Sequence, residues 1–183
     1  MAAAGGVAAV PTEQETSQGE GQRVLRINGK PDASNGWSDA VSRLWLGHYA
    51  ALLAPKEARS ALLIGLGAGM TLSAVASHDK FERIECVELL GGVIAAAPLF
   101  AADTDDAARN ERVRLREGDG RGYLAHAPSA ERFDLILSEP SNPWIAGSSA
   151  LFTREFHALC RSRLKPGGVA GAWLPGQAIS LGD

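Results

Sequence analysis

Four short stretches of this 183-residue chain place glycines or a carboxylate where a small polar ligand could be held. The first is Gly65-Leu-Gly67-Ala-Gly69. Glycines permit a tight turn and a close backbone approach to a ligand, since no Cβ intervenes; the same run also serves as a purely structural turn. Met70 stands where a dinucleotide-binding GxGxxG has its last glycine, which argues against an NAD-dependent dehydrogenase. The second is Glu88, about 20 residues further on, where an acid can accept hydrogen bonds from a ribose diol or simply be solvated at a strand end. The third is Gly118-Asp119-Gly120-Arg121, whose carboxylate can meet an adenine amino group. The fourth is Ser138-Glu139-Pro140-Ser141-Asn142-Pro143-Trp144, in which two prolines stiffen a loop that carries an acid, an amide and an aromatic ring. A loop stiffened this way loses less entropy when it positions a reacting group, the alternative being a proline-rich connector.

The elements that would position these stretches follow from hydrophobic spacing. Ala61–Ile64 is an unbroken apolar run, as suits a strand covered on both faces. Further strands are predicted at 83–88, 113–115, 133–138 and 169–174, alternating with helices at 69–77, 93–100, 120–126 and 153–164. Repeated βα units imply an α/β fold, Rossmann-like, with a mostly parallel sheet and helices on both faces. The four stretches then fall at the carboxyl ends of strands, where open α/β sheets bind their ligands. Ahead of this unit, Val24–Ile27 and the Asn28-Gly29 turn predict a short β-hairpin. Ser38 or Asp39 can cap a helix whose apolar positions are Val41, Leu44, Trp45, Tyr49, Leu52 and Leu53. The domain reading is an unstructured tail over 1–22, a hairpin over 23–36 and a nucleoside-binding domain over 37–183. The predicted core is Leu62, Leu63, Ile64, Val87, Leu135, Ile136, Leu137, Phe152, Phe156 and Val169.

Composition narrows the class. Hydrophobic residues make up 45% and charged residues 21%, with a net charge of −3, ordinary values for one folded domain that argue weakly against a nucleic-acid partner. Cys86 and Cys160 form no CxxC pair, and the four histidines lack metal-ligand spacing, so no metal site is expected. No apolar run reaches the ~20 residues of a membrane span, and the amino terminus lacks a basic n-region; the cytoplasm is the expected compartment.

Together, Gly65–Gly69, Val87-Glu88, Gly118–Arg121 and Ser138–Trp144 followed by Leu151-Phe-Thr-Arg-Glu-Phe156 resemble the spermidine synthase-like (polyamine aminopropyltransferase) family. That family lies within the class I S-adenosylmethionine-dependent methyltransferase superfamily. Leu25–Ser34 is similar to the family's substrate-side hairpin, and the resemblance runs from about residue 24 to 174. It implies a methyltransferase-type fold and transfer of an aminopropyl group from decarboxylated S-adenosylmethionine to a small amine, with no metal and with a homodimer as the assembly. It implies that Glu139 deprotonates the amine, that Glu88 holds the ribose and Asp119 the adenine. Gly65, Gly67, Gly69 and Gly120 would shape the donor site, while Asp32, Asn142 and Trp144 would lie on the substrate side. Several positions depart from the family pattern. Ala68 and Ala74 stand where the family carries acids, Asn142 replaces an aspartate, and the catalytic acid is a glutamate. Both ends are short against the family, which implies a reduced amino-terminal β-domain and a sheet incomplete at its carboxyl end. Two other functions stay open at this point: methyl transfer from S-adenosylmethionine, which brings its own carboxylate, and a non-catalytic nucleoside-binding or oligomerising domain.

Overall fold

Two strands with no exposed residue form the centre of the molecule. β4 (Ser60–Ile64) and β7 (Phe133–Ser138) are buried along their whole length and pair in parallel, with Leu62 opposite Ile136. The computed structural model describes the backbone of residues 7–11, and residues 21–140 and 148–174 in full. β5 (Arg83–Glu88) and β6 (Val113–Glu117) extend the sheet on one side and β8 (Leu164–Ala172) on the other, all parallel, in the order β6-β5-β4-β7-β8. The chain runs outward from β4 to β6 and then returns to place β7 on the opposite side of β4. The switch point, where such sheets bind ligands, therefore lies at the carboxyl ends of β4 and β7.

Helices cover both faces, as expected. On one face α1 (Trp37–Leu53), α2 (Met70–Ala76) and α3 (Gly91–Ala96) enclose Leu63, Ile84, Leu135 and Leu137. On the other, α4 (Gly120–His126) and α5 (Arg154–Ser162) cover Leu62, Ile64, Val87 and Ile136, with Phe156 of α5 packed into the same cluster. Of the predicted core, Phe152 and Val169 are only partly buried. Among the described residues Val169 sits on an outer strand with a single neighbour, and Phe152 lies in a short 3-10 turn ahead of α5.

α1 departs from the amphipathic reading. Trp45, Tyr49, Leu52 and Leu53 are more than half exposed, while Gly47, Ala50 and Ala51 form the buried face. Small residues win because α1 lies so close to α2. A Cβ on Gly47 would stand 2.6 Å from the Ala74 Cβ and 2.9 Å from the Thr71 carbonyl oxygen. Ala74 is itself buried in this contact. The helix predicted over 93–100 breaks after Ala96 into a 3-10 helix, Ala97–Asp103, since Pro98 has no N–H to give an α-turn. β8 begins five residues earlier than predicted, and the Lys165-Pro-Gly-Gly stretch is taken up inside it by a register shift opposite Phe133–Leu135. That start lets Lys165 reach Asp134 at 2.8 Å.

The amino-terminal sheet is three-stranded and antiparallel. β2 (Arg23–Ile27) and β3 (Lys30–Ser34) form the predicted hairpin. Asn28 (φ 53°) and Gly29 (φ 78°) both take the left-handed conformation that a two-residue turn requires. Val7–Pro11, inside the stretch expected to be an unstructured tail, forms β1 on the outer edge of β2. A free row of backbone donors and acceptors on β2 explains this pairing, which composition alone does not signal. Among the described residues, no helix is long and apolar enough to cross a membrane.

Candidate functional site

A cavity of about 610 Å³ opens at the switch point, a size that suits a small-molecule ligand. Its floor is the carboxyl ends of β4, β5 and β7 with the glycine turn. Asp32, Ala33 and Ser34 of β3 and Asp39 and Arg43 of α1 close it from the other side.

The floor is tied together by backbone. Gly65 donates to the Val87 carbonyl at 2.9 Å, and the Glu139 amide donates to the Ile64 carbonyl at 2.8 Å. Gly65 has φ +95°, and a Cβ there would stand 2.5 Å from the Glu139 carbonyl oxygen, so a side chain at 65 would push apart the two loops that form the site. Gly120 is buried against Ile64, whose side chain a Cβ would strike. Gly67 and Gly120 line the cavity, whereas Gly69 takes φ +86° just before α2 and acts as its cap residue.

Glu88 is 8% exposed. Its two carboxylate oxygens accept from the amides of Leu66 and Leu90, each at 2.9 Å. Burial raises its pKa, against those backbone bonds and with the added push of nearby Asp32. Gly67 adds a third backbone hydrogen bond, which leaves the carboxylate about one of its roughly four lone-pair sites for a ligand. Asp119 is exposed and caps α4, accepting from the Arg121 amide at 3.0 Å. Both acids line the cavity, and so does Asp32.

At the other end lies Glu139. Its side chain is 9% exposed, and its Oε1 accepts from the Thr71 hydroxyl at 2.6 Å and from Arg43 Nη1 at 3.3 Å. Burial raises the pKa of this carboxyl, outweighing the opposing pull of Arg43 and Thr71. Thr71 has a second acceptor, the Arg43 carbonyl at 3.0 Å. Its single proton can serve Glu139 when the acid is ionised. When Glu139 is protonated, Thr71 can turn its proton to the carbonyl and accept a hydrogen bond from the acid's O–H. The arrangement suits a group that must both lose and gain a proton in a closed site. Arg43 also reaches Asp39 at 3.4 Å and lies 4.3 Å over the Trp173 ring.

Arg43, Thr71 and Trp173 were not singled out from sequence. The i, i+4 spacing of Asp39 and Arg43 on α1 was the only local signal for any of them. Asn142 and Trp144 lie outside the described residues. Tyr123 packs against the core cluster under α4 and α5, away from the cavity. Glu85 is buried inside β5, where Arg116 pairs with it at 2.8 Å. Cys86 and Cys160 are free and buried, and burial pushes both thiols up, Cys160 to about 11. Neither is a nucleophile at neutral pH.

Sequence and fold comparisons converge. The spermine/spermidine synthase domain profile matches residues 41–172. Two polyamine aminopropyltransferases of Pseudomonas aeruginosa are similar to the chain. Number 1 is 36% identical over 119 residues, covering 64% of this chain and 41% of its own. Number 2 is 36% identical over 149 residues, covering 80% and 42%. The chain thus spans about two-fifths of the length of these curated relatives. A crystal structure of spermidine synthase in complex with the transition-state analogue AdoDATO superimposes with a TM-score of 0.79 at 24% identity, over 93% of this chain and 55% of that one.

Proposed function

The chain belongs to the spermine/spermidine synthase domain family, and on that basis we propose that it transfers an aminopropyl group from decarboxylated S-adenosylmethionine to an amine. One observation carries the reading. A buried carboxylate, Glu139, shares a single cavity with a ribose-competent carboxylate, Glu88, at the switch point of the sheet. In this assignment Glu88 receives the ribose hydroxyls, Asp119 the adenine amino group, and the turn through Gly65 and Gly67 lets the nucleoside lie against backbone. Asp32 faces the same cavity from β3, and the family resemblance assigns it, with Asn142 and Trp144, to the substrate side.

The chemistry follows from charge. An ammonium is no nucleophile, so Glu139 first attracts the cation and then takes its proton. The freed nitrogen lone pair attacks the carbon next to the sulfonium. The carbon–sulfur bond breaks with its electron pair going to sulfur, leaving a neutral thioether. Burial serves this step twice: it raises the basicity of Glu139, and it keeps water from competing for the carbon.

Replacing Glu139 tests the reading. In Glu139→Gln, calorimetry should find decarboxylated S-adenosylmethionine bound with near-normal affinity, while single-turnover transfer to a diamine falls by about 10²–10⁴. Transfer at the wild-type rate would remove Glu139 from the chemistry. A second reading, methyl transfer from S-adenosylmethionine, is favoured by Ala68, an apolar side chain in the cavity wall where the family resemblance calls for an acid to hold the donor's amino group. Titrating the two donors in parallel separates these readings, since tighter binding of S-adenosylmethionine would select the second.

A further inference from the structure

The acceptor end of the cavity already contains a cation. Arg43 lies between two carboxylates and is bound tightly to neither. Its distances to Glu139 (3.3 Å) and Asp39 (3.4 Å) both exceed the roughly 2.7–2.9 Å of a close charge-assisted hydrogen bond. The Thr71 contact to Glu139, at 2.6 Å, shows that tighter geometry is available to this carboxylate. Arg43 is 17% exposed, and its guanidinium rests against Trp173. Asp39 is itself fixed, since it accepts from the Ser34 amide at 2.7 Å and the Ser34 hydroxyl at 3.2 Å. The guanidinium therefore has a second set of partners in place and need not leave the cavity to release Glu139.

Resting on the aminopropyl-transfer reading, we propose that Arg43 is a specificity-determining residue that occupies Glu139 until the acceptor's ammonium displaces it. The guanidinium then passes to Asp39 and the Trp173 ring. Other groups facing Glu139 do not alter this balance: Thr71 of α2 is neutral, and the Cys86 thiol of β5 is held protonated by burial and by Glu88 and Glu139. Among the described residues, Arg43 and Asp39 act on Glu139, whereas Asp32 acts on Glu88 at the ribose end of the cavity; at Glu139 two carboxylates and one guanidinium therefore leave one uncompensated negative charge, the complement of one ammonium. A second ammonium brought to the same end meets the retained positive charge of Arg43. The acceptor class is thus an amine that presents a single charge at its reacting end, and added charges bring little affinity.

The test is binding without turnover. Butylamine, 1,4-diaminobutane and spermidine, with one, two and three charges, are titrated calorimetrically into the wild type, Arg43→Gln and Arg43→Lys. Arg43→Lys keeps the charge and controls for structural damage. Affinities in the wild type and Arg43→Lys should change little along the series. In Arg43→Gln, affinity should rise by about tenfold or more from the mono- to the triamine. A flat series in Arg43→Gln, or a steep one in the wild type, overturns the role of Arg43 and leaves aminopropyl transfer standing. A wild type that binds none of the three overturns aminopropyl transfer and this inference with it.

Discussion

Asp134→Asn should weaken the fold by about 2 kcal/mol at neutral pH, and the loss should fade in acid. Asp134 is the second residue of β7, at the sheet end opposite the cavity. Its Oδ2 accepts from the amides of Arg59 and Ser60, both at 2.9 Å, and from the Ser60 hydroxyl and Lys165 Nζ, both at 2.8 Å. One carboxylate therefore ties together β4, β7 and β8. Burial alone would raise its pKa, but Lys165 and the three Arg59 and Ser60 donors more than offset it, holding the group at about 2 against an ordinary value of 3.8. At about 1.4 kcal/mol per unit, that difference is worth about 2 kcal/mol. The folded value is the depressed one, so the contribution is complete above the unfolded value and is lost as pH falls towards the folded one. Near pH 2.5 about a third should remain. Urea unfolding of both proteins from pH 7 downward measures the gap, and thermal melts at pH 7 should differ by about 4–8 °C. A gap of constant size across that range would refute the argument, because a purely steric effect of the amide does not titrate.

Thr71→Val should lower transfer at pH 7 by about tenfold or more, since it removes a charge-assisted donor to Glu139. Because that donor favours the ionised form, the acidic limb of the kcat/KM profile should move to higher pH, and Thr71→Ser should restore it; an unmoved limb would exclude this role. The wild-type limb should itself lie above the ordinary glutamate range, given the direction in which burial shifts Glu139. Gly47→Val should cost about 1–3 kcal/mol by forcing α1 from α2, read by urea unfolding. Unchanged stability would mean that the helix crossing is looser than the Gly47–Ala74 approach indicates.

Much of the architecture is legible along the chain because parallel strands and their covering helices are encoded locally. Unbroken apolar runs such as Ala61–Ile64 and Phe133–Leu137 need burial on both faces. The glycine and acid at each strand end fall at the switch point by topology alone, which brings Gly65, Gly67, Glu88, Asp119 and Glu139 into one cavity. Elements ruled by neighbours rather than by spacing were read less well. α1 has an apolar stripe that points outward, because contact distance to α2 selects Gly47, Ala50 and Ala51 for the inner face. β1 forms because β2 offers an unpaired edge.

The sequence by itself determined the alternation of parallel strands with helices and the acids standing near the strands' carboxyl ends, since hydrophobic period and turn chemistry act over a few residues. Only the tertiary structure decided the company Glu139 keeps. Thr71 and Arg43 lie 68 and 96 residues away in the chain. They meet the acid because helix packing carries α1 and the start of α2 to the end of β7, and local spacing carries no record of such encounters.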